Sequence, residues 1–401
     1  MAENDLAGEW IDAAAAAERL GVKSATLYAY VSRGVLRRRR APDGRRSLFD
    51  AAQVEELARK GKPRRPPGPG DLAIESAITA LGPDRPYYRG RDALELAVAH
   101  SFEEVAGWLW TGELDAGEGW RPSEEGLAAA RAAQLGLPGG LPPIDRLQLI
   151  AAALAATDPR RFRLDPEGVV DTGRALVGGL VDALGPPREG SMAERLWASL
   201  CPRPVHPGLL RAMEAAMVLL ADHELAASTL AARVGASVRA DPYAVVATGL
   251  GVASGPLHGG ASYAAERLLA EIGDPSRAAG AMGERLRRGE RVPGFGHPVY
   301  KAGDARATCL FDLVRAASPD TLGVVDAVLA EARRHRLPAP NVDFALAALT
   351  TSAGMPPGSG EAIFAIARTS GWLAHALEEY ARRDPLRPRA VYTGPPPPRR
   401  R

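Results

Sequence analysis

The sequence has 401 residues, 46% of them hydrophobic, and carries a formal net charge of +2 at pH 7. This composition excludes a disordered chain and predicts two or three globular domains, which we expect to be mainly helical because aromatic residues, which favour strands, make up only 5%. The two cysteines, Cys201 and Cys309, exclude a disulfide framework and a Cys-x-x-Cys metal site, so we expect no bound metal and a reducing compartment.

The chain begins with the acidic segment Met-Ala-Glu-Asn-Asp, whereas a signal peptide would begin with basic and then apolar residues. No apolar run reaches the roughly 18 residues that a membrane span needs. We therefore expect a cytoplasmic protein without a membrane partner.

Residues 1–62 differ from the rest of the chain because they contain a basic cluster. Seven arginines stand between Arg33 and Arg46, against the single acidic residue Asp43. The turn triplet Pro42-Asp43-Gly44 lies inside this cluster and predicts a β-hairpin. Cap residues and glycines predict two helices before the hairpin and one after it, with Asp12, Ser24 and Asp50 as the N-caps.

A basic, proline-rich linker follows at residues 63–70. Its four prolines prevent a continuous helix, and Arg64 and Arg65 make it basic. We therefore place a domain boundary near residue 70.

From residue 71 onwards the sequence has mostly helical periodicity. Ser101 and Glu104 form a capping box for a helix that Gly112 ends. No long segment alternates with a period of two, and neither a Gly-x-Gly-x-x-Gly nor a Walker loop is present. Apolar residues at three- and four-residue spacing predict further helices over residues 145–158, 168–184 and 208–222.

Residues 361–380 predict a helix that is buried on all sides. Its apolar residues spread around the whole circumference, and between Glu361 and Glu378 only Arg368 and His375 are ionisable. Because a guanidinium cannot lose its charge, Arg368 requires an anion inside the protein, either a carboxylate of the chain or a ligand.

Two histidines stand among glycines and prolines, where the backbone can approach a ligand closely. They lie in Gly-Pro-Leu-His258-Gly-Gly-Ala and Gly-Phe-Gly-His297-Pro, and Asn-Val-Asp343-Phe follows. A third histidine, His223, ends an apolar helix. Each histidine alone is also compatible with a solvated loop or a helix cap, but together they indicate a binding site.

Residues 71–394 resemble the citrate synthase family in seven motifs that stand in the family's order. The resemblance implies an acyltransferase that condenses acetyl-CoA with oxaloacetate and hydrolyses the thioester to citrate and CoA, with no cofactor beyond the co-substrate acetyl-CoA. Besides the motifs around His258, His297 and Asp343, the matching segments are the capped helix from Ser101, His223-Glu-Leu-Ala-Ala-Ser-Thr, Phe-Ala-Ile-Ala-Arg368-Thr and Arg387-Pro-Arg-Ala-Val-Tyr-Thr-Gly.

The resemblance implies three catalytic residues. His258 would hydrogen-bond the thioester oxygen, Asp343 would remove the methyl proton of acetyl-CoA, and His297 would polarise and protonate the ketone of oxaloacetate. Asp343 alone would be a poor base, because a free aspartate has a pKa of about 3.9, so the base and the donors would act together.

The same resemblance implies the substrate-binding residues. His223, Arg306 and Arg368 would hold oxaloacetate, together with Arg387 of the partner subunit, because arginine matches a carboxylate bidentately. Lys301 matches a position that binds coenzyme A. Three neighbouring arginines would assist it: Arg287, Arg288 and Arg291.

The implied fold is mainly α. A large helical domain, residues 71–259 and 355–401, would enclose a small helical domain of residues 260–354 that closes over the substrates. The contribution of Arg387 from a second chain implies a homodimer with a shared active site.

Residues 8–60 resemble the winged helix-turn-helix of MerR and excisionase proteins, through Ala-Glu-Arg-Leu20-Gly-Val, Ala-Thr-Leu-Tyr28 and Arg-Arg-Ser-Leu-Phe49. The resemblance implies that the second helix enters the DNA major groove while wing arginines contact phosphates. The alternative is a solvated basic hairpin on an accessory domain. The candidate DNA-binding residues are Thr26, Tyr28, Arg33, Arg37, Arg38 and Arg45.

Three sites depart from the citrate synthase pattern: Ser262-Tyr263 replace Asn-Glu, Pro298 replaces an arginine, and Ala345 replaces a tyrosine. They alter the surroundings of the acyl group and of coenzyme A. One methylene changes selectivity by only about 1–3 kcal/mol, so a 2-methylcitrate synthase that uses propionyl-CoA is an alternative. A DNA-binding, metabolite-sensing regulator on the same fold is a second alternative.

Overall fold

The computed structural model describes residues 10–20, 22, 24–32, 35–41, 46–59, 73–186, 188–388, 390 and 393–394. The chain divides into two compact units, Met1–Ile74 and Glu75–Arg401. Among the described residues, no helix combines the length and the apolar character needed to cross a membrane.

The first unit combines short strands with three described helices. Its elements are β1 (Trp10–Asp12), α1 (Ala13–Leu20), α2 (Ser24–Ser32), β2 (Arg38–Arg40), β3 (Ser47–Asp50) and α3 (Ala51–Arg59). The strands form an antiparallel sheet in the order β1-β3-β2, in which Phe49 lies opposite both Ile11 and Arg38. Leu27, Phe49 and Val54 are fully buried and form its core.

Two predicted caps of this unit are present. The carboxylate of Asp12 accepts from the backbone N–H of Ala15 at 2.8 Å, and that of Asp50 accepts from Gln53 at 3.2 Å. The predicted hairpin corresponds to β2 and β3, whereas its turn triplet lies outside the described residues. Strand β1 was not predicted, because three residues carry too little periodicity.

The second unit is mainly helical, as expected. Its elements are β4 (Thr79–Leu81), β5 (Pro86–Tyr88), β6 (Arg91–Asp92), α4 (Ala93–Ala99), α5 (Phe102–Thr111), α6 (Glu124–Ala132), α7 (Pro143–Thr157), α8 (Pro166–Leu184), α9 (Met192–Leu200), α10 (Pro207–Leu220), α11 (Ala227–Ser237), α12 (Pro242–Ala253), α13 (Gly260–Ile272), α14 (Ala278–Arg287), α15 (Ala305–Ala317), α16 (Gly323–Arg334), α17 (Val342–Ala353) and α18 (Ser359–Ala381).

The predicted helices match observed ones. Those over 145–158, 168–184 and 208–222 correspond to α7, α8 and α10. The capping box of Ser101 and Glu104 forms at the start of α5, and Gly112 ends that helix with a φ of 83°, which glycine adopts without strain.

A small antiparallel sheet, β4-β5-β6, was not predicted. Its strand β5 contributes Tyr88, which is fully buried. The Tyr88 hydroxyl lies 3.1 Å from the backbone oxygens of Val218, Leu219 and Asp222. The sheet therefore fixes the end of α10, immediately before His223.

Helix α18 is the central helix of the second unit, and its predicted burial is confirmed. It packs against α5, α7, α8, α10, α11, α12 and α13. At its crossing with α12, a Cβ on Gly249 would lie 2.5 Å from the ring of Trp372, so only glycine permits this close approach.

Candidate active site

A cleft of about 430 Å³ in the second unit gathers residues that are far apart in the sequence. They lie after α10, between α12 and α13, before and within α15, and in α17 and α18. The fold therefore brings together six of the predicted residues: His223, His258, His297, Arg306, Asp343 and Arg368.

His297 presents an N–H to the cleft. Its Nδ1 accepts from the backbone N–H groups of Val299 and Tyr300 at 3.0 and 3.1 Å, which places the ring hydrogen on Nε2, although Nη2 of Arg306 lies 3.5 Å from that nitrogen. Burial and the charge of Arg306 lower the pKa of His297 to about 4. At neutral pH the ring is therefore a neutral hydrogen-bond donor.

His258 has the opposite tautomer. Its Nε2 lies 2.7 Å from the hydroxyl oxygen of Ser228, which also accepts from the indole N–H of Trp372 at 3.2 Å. The serine hydrogen is free to donate to Nε2, and in that arrangement the hydrogen of His258 lies on Nδ1. Burial and the charge of Arg368 lower the pKa of His258 to about 4, so this ring is also neutral.

His223 lines the cleft and forms a hydrogen bond with Tyr300. Its Nε2 lies 2.9 Å from the Tyr300 hydroxyl, and the Tyr300 ring stacks on that of His297 with centroids 4.6 Å apart. Burial, with the charges of Arg306 and Arg368, holds the pKa of His223 well below its usual value. Tyr300 was not singled out from the sequence, although it stands in the Pro-Val-Tyr-Lys motif beside His297.

Asp343 lies in the first turn of α17. Asn341 caps this helix by accepting from the Asp343 backbone N–H at 3.0 Å, and its side-chain amide donates to Gly296 at 2.9 Å. Burial raises the pKa of Asp343 to about 6, although Arg306 acts in the opposite direction. Its carboxylate forms no hydrogen bond or ion pair with another described residue, so it is available as a base.

The two buried arginines of the cleft have different partners. Arg306 forms a bidentate pair with Asp304, at 3.0 and 2.9 Å. The Nε of Arg368 donates to the backbone oxygen of Leu220 at 2.8 Å, but its guanidinium forms no ion pair within the described part of the chain. Of the two partners considered for Arg368, no carboxylate of the described residues forms an ion pair with it, and the ligand stays a prediction.

The other predicted residues lie outside the cleft lining. Lys301 is exposed and donates to the backbone oxygen of His297 at 3.3 Å. Arg387 is exposed in its own chain. Arg287 and Arg288 form ion pairs with Glu284. Across the residues that the structure describes, no three His, Cys, Asp or Glu side chains are arranged to hold a metal ion.

A family model of the citrate synthase C-terminal domain matches residues 70–389. The chain belongs to the citrate synthase family. A second model, of the MerR helix-turn-helix family of regulatory proteins, matches residues 13–59. Both resemblances found in the sequence are therefore confirmed.

The relatives of this chain include both citrate synthases and 2-methylcitrate synthases. Citrate synthase 2 of Bacillus subtilis is 32% identical over 364 residues, which cover 81% of this chain and 95% of the relative. 2-Methylcitrate synthase 1 of Corynebacterium glutamicum is 30% identical over 337 residues, which cover 77% and 88%. The matches support the family and leave the acyl substrate open.

Solved structures of the family share the fold. The crystal structure of citrate synthase from Thermotoga maritima has a TM-score of 0.65 and 30% identity, covering 81% of this chain and 94% of that one. The Thermoplasma acidophilum enzyme, solved with carboxymethyl coenzyme A and oxaloacetate, has a TM-score of 0.69 and 25% identity, covering 82% and 96%.

One of the departures from the family pattern lies in the cleft itself. Pro298 is part of its lining. Ser262 is buried, and its hydroxyl donates to the backbone oxygen of Gly259 at 3.1 Å. Ala345 is fully buried in α17.

In the first unit, some of the candidate DNA-binding residues contact other side chains of the same unit. Arg37 pairs with Asp50 at 2.6 Å, whereas Arg38 is exposed and lies over the ring of Tyr28 at 5.7 Å. Thr26 lies on α2 and is half-buried. The remaining two candidates, Arg33 and Arg45, lie outside the described residues.

Proposed function

We propose that the protein is a citrate synthase, which condenses acetyl-CoA with oxaloacetate and hydrolyses the thioester. One observation carries this proposal: Asp343, a carboxylate of raised pKa, shares a cleft with two neutral N–H donors, His258 and His297. Removing a weakly acidic C–H proton next to a carbonyl requires a base and a donor acting together.

In the first step, the Asp343 carboxylate takes a proton from the methyl group of acetyl-CoA. The electron pair of the broken C–H bond moves onto the thioester oxygen, where the Nδ1–H of His258 stabilises the developing charge. Because that hydrogen is already in place, no proton need be taken from solvent at this moment.

In the second step, the nucleophilic carbon of the hydrogen-bonded enolate attacks the ketone carbon of oxaloacetate. The Nε2–H of His297 polarises the ketone and supplies the proton that the new alkoxide takes. Water then hydrolyses the citryl thioester to citrate and CoA. We assign the two carboxylates of oxaloacetate to Arg306, Arg368 and Arg387 of the partner subunit, with His223 beside them.

We assign the binding of coenzyme A to the mouth of the cleft. Lys301 is exposed there, and Leu257, next to His258, has 98% of its surface exposed, which offers an apolar contact. Residues 260–354 would form the small domain that closes on residues 71–259 and 355–401 after the substrates bind.

A homodimer is supported by the outer faces of α11 and α12. Their exposed residues carry no charge, and they include Val234, 43% exposed, and Thr248. Val238, just beyond α11, is 66% exposed. An uncharged helical face of this kind is typical of an interface between subunits.

The acyl substrate is tested by CoA release with oxaloacetate plus either acetyl-CoA or propionyl-CoA. We expect turnover with acetyl-CoA. Its kcat/KM should exceed that of propionyl-CoA by a factor of roughly 10 to 200. A ratio that favours propionyl-CoA would identify a 2-methylcitrate synthase. A folded dimer that turns over neither thioester would refute the proposed enzyme and favour the regulator.

DNA binding is a second candidate function, favoured by three consecutive exposed arginines on β2: Arg38, Arg39 and Arg40. Exposed arginines on a wing neutralise phosphates and supply affinity that is independent of sequence. The half-exposed Tyr28 on α2 adds an aromatic surface next to Arg38.

This function is tested by titrating the full-length protein with a duplex oligonucleotide at several salt concentrations. Changing all three β2 arginines to alanine should lower the slope of log Kd against log salt by roughly 0.9 for each phosphate that is no longer neutralised. The matched control changes three exposed arginines of the second unit: Arg333, Arg334 and Arg336. A wild-type protein that binds no DNA at low salt would refute this function.

A further inference from the structure

The backbone at the end of α10 is held by one face of α18. The Nε of Arg368 donates to Leu220 at 2.8 Å, and the backbone N–H of Gly371 donates to Ala221 at 3.0 Å. Both acceptors lie just before His223. The helix that places Arg368 in the cleft therefore also fixes the segment that carries a neighbouring cleft residue.

The side chain of the next residue, Asp222, forms two polar contacts. Its Oδ2 accepts from the backbone N–H of Glu224 at 3.1 Å and lies 3.3 Å from Nε2 of His375. Glu224 has a φ of 54°, a left-handed conformation that a residue with a side chain keeps only when its surroundings hold it. The Asp222 carboxylate therefore anchors the backbone on both sides of His223.

Arg233 determines which nitrogen of His375 faces Asp222. Its Nη1 donates to Nδ1 of His375 at 2.8 Å, and a guanidinium has donors only. The hydrogen of His375 therefore lies on Nε2, which donates to Asp222. The charge of Arg233 is balanced by Glu378 and Glu379.

The chain of Arg233, His375 and Asp222 is sealed from solvent, with 0% exposure at each residue. A Cβ on Gly371 would lie 2.4 Å from Oδ1 of Asp222, so the backbone of α18 packs directly on the carboxylate. Burial raises the pKa of Asp222, but His375 and the charge of Arg368 outweigh it, and the net pKa lies below its usual value.

We propose that His375 and Asp222 are positioning residues of the oxaloacetate site, which hold the His223 segment against α18 and keep the Asp222 carboxylate away from the guanidinium of Arg368. Neither residue is part of the cleft lining, so both act through others. This inference rests on the proposed function, because it takes His223 and Arg368 as ligands of oxaloacetate.

The groups that face Asp222 predict how a defect would respond to pH. His375 and Arg368 face it from α18, and Thr79 and Tyr88 face it from the sheet. Without the His375 donor, the buried anion would turn to Arg368, whose charge already lowers its pKa, and would compete with the substrate. Loss of the His375 donor also raises the pKa of Asp222 in the variant, because the effect of burial is then less opposed. The variant should therefore bind oxaloacetate more weakly as the pH rises and Asp222 ionises.

The test is calorimetric titration of the full-length protein with oxaloacetate at about pH 6 and about pH 8. For His375→Leu, we expect the Kd to rise about tenfold at the higher pH and less at the lower one, since the variant lacks a hydrogen bond to a charged group. The Kd of the wild type for oxaloacetate should change little between the two pH values. His375→Gln keeps an N–H donor near the position of Nε2 and should restore most of the affinity.

Two further variants complete the design. Asp222→Asn removes the carboxylate charge. The affinity of this variant for oxaloacetate should therefore be lower than that of the wild type by the same factor at both pH values. Thr369→Val is the matched control, because the Thr369 hydroxyl is fully buried in α18 and, among the described residues, bonds only to Ala365 of the same helix, at 2.9 Å. It should bind oxaloacetate as the wild type does.

The proposal would be overturned if His375→Leu bound oxaloacetate with the Kd of the wild type at both pH values. It would also be overturned if Thr369→Val lost as much affinity for oxaloacetate as His375→Leu. If His375→Leu does not fold, wild-type affinity in Asp222→Asn would overturn it instead. A wild type that binds oxaloacetate without turnover refutes the proposed enzyme and leaves this test intact. A wild type that binds no oxaloacetate refutes both.

Discussion

The histidines of the cleft are distinguished by the positions of their hydrogens and not by charge. Ser228 leaves the hydrogen of His258 on Nδ1, and two backbone N–H groups leave that of His297 on Nε2. Both rings are neutral because burial and nearby arginines disfavour a further proton. A fixed neutral donor stabilises a developing oxyanion without a prior protonation step, which favours catalysis near neutral pH.

The raised pKa of Asp343 predicts the acid limb of the pH profile. The base form is present above a pKa of about 6, so kcat/KM for acetyl-CoA should be constant above that pH and fall about tenfold per pH unit below it. Initial rates of CoA release across the pH range measure this. A limb that begins near pH 4 would contradict the assignment of Asp343 as a buried base.

Ser228→Ala should damage catalysis more than binding. Removal of the hydroxyl leaves Nε2 of His258 without its donor and frees the ring to adopt the other tautomer. We expect kcat to fall by roughly 10- to 1,000-fold, as for the loss of a group that orients an oxyanion donor, with KM for oxaloacetate little changed.

The matched control is Ser237→Ala on the same helix. Within the described part of the chain, the Ser237 hydroxyl bonds only to the backbone oxygen of Val234, at 2.8 Å. Steady-state kinetics of both variants measure the difference. Equal losses in kcat would show that the Ser228 effect is a general defect of α11.

At the level of helices, Glu266 joins three elements at the edge of the proposed small domain. From α13 it accepts from Thr350 of α17 at 2.8 Å and from the backbone N–H groups of Gly358 and Gly360, at 2.6 and 2.8 Å, at the start of α18. A carboxylate satisfies these unpaired donors of a helix N-terminus better than a neutral group does.

Glu266→Gln should therefore lower the free energy of unfolding by about 1–3 kcal/mol, because the amide has one acceptor oxygen for three donors. Chemical denaturation at neutral pH measures this. Glu271→Gln, on the same helix but exposed, should change stability by less than about 0.5 kcal/mol. A Glu266 effect as small as that of Glu271 would contradict the joining role.

Helices could be predicted from the sequence wherever local signals agree with burial. The capping box at Ser101 and the apolar circumference of α18 are contained within one segment each. The strands of β4-β6 have two or three residues, too few for a period of two to be visible. Their function, fixing the end of α10 through Tyr88, depends on residues about 130 positions away.

The same limit applies to the site. The motifs identified His258, His297 and Asp343, but the sequence does not reveal that Ser228 sets the tautomer of one histidine or that Asp304 pairs with Arg306. Those pairings follow from how the helices pack. They are visible only once the whole second unit is folded.

The complete molecule is proposed to be a dimer, because Arg387 does not line the cleft of its own chain within the described residues. Arg387→Ala should strongly reduce turnover, and Asp343→Ala should abolish it. When the two inactive variants are refolded together, mixed dimers contain one site with both residues intact, so about a quarter of wild-type activity should return.

Subunit mixing followed by an assay of CoA release measures this recovery. Each variant refolded alone is the control. No recovery from a mixture that forms dimers would place Arg387 outside a shared site.

Asp343 is proposed to initiate the condensation of acetyl-CoA with oxaloacetate. CoA release from the wild type and from Asp343→Asn, with oxaloacetate affinity measured in parallel, tests this role. We predict oxaloacetate-dependent release by the wild type, a loss of at least about 10³-fold in the variant, and an oxaloacetate Kd within about threefold of the wild type. Wild-type turnover in Asp343→Asn, or no turnover in either protein, would contradict the account.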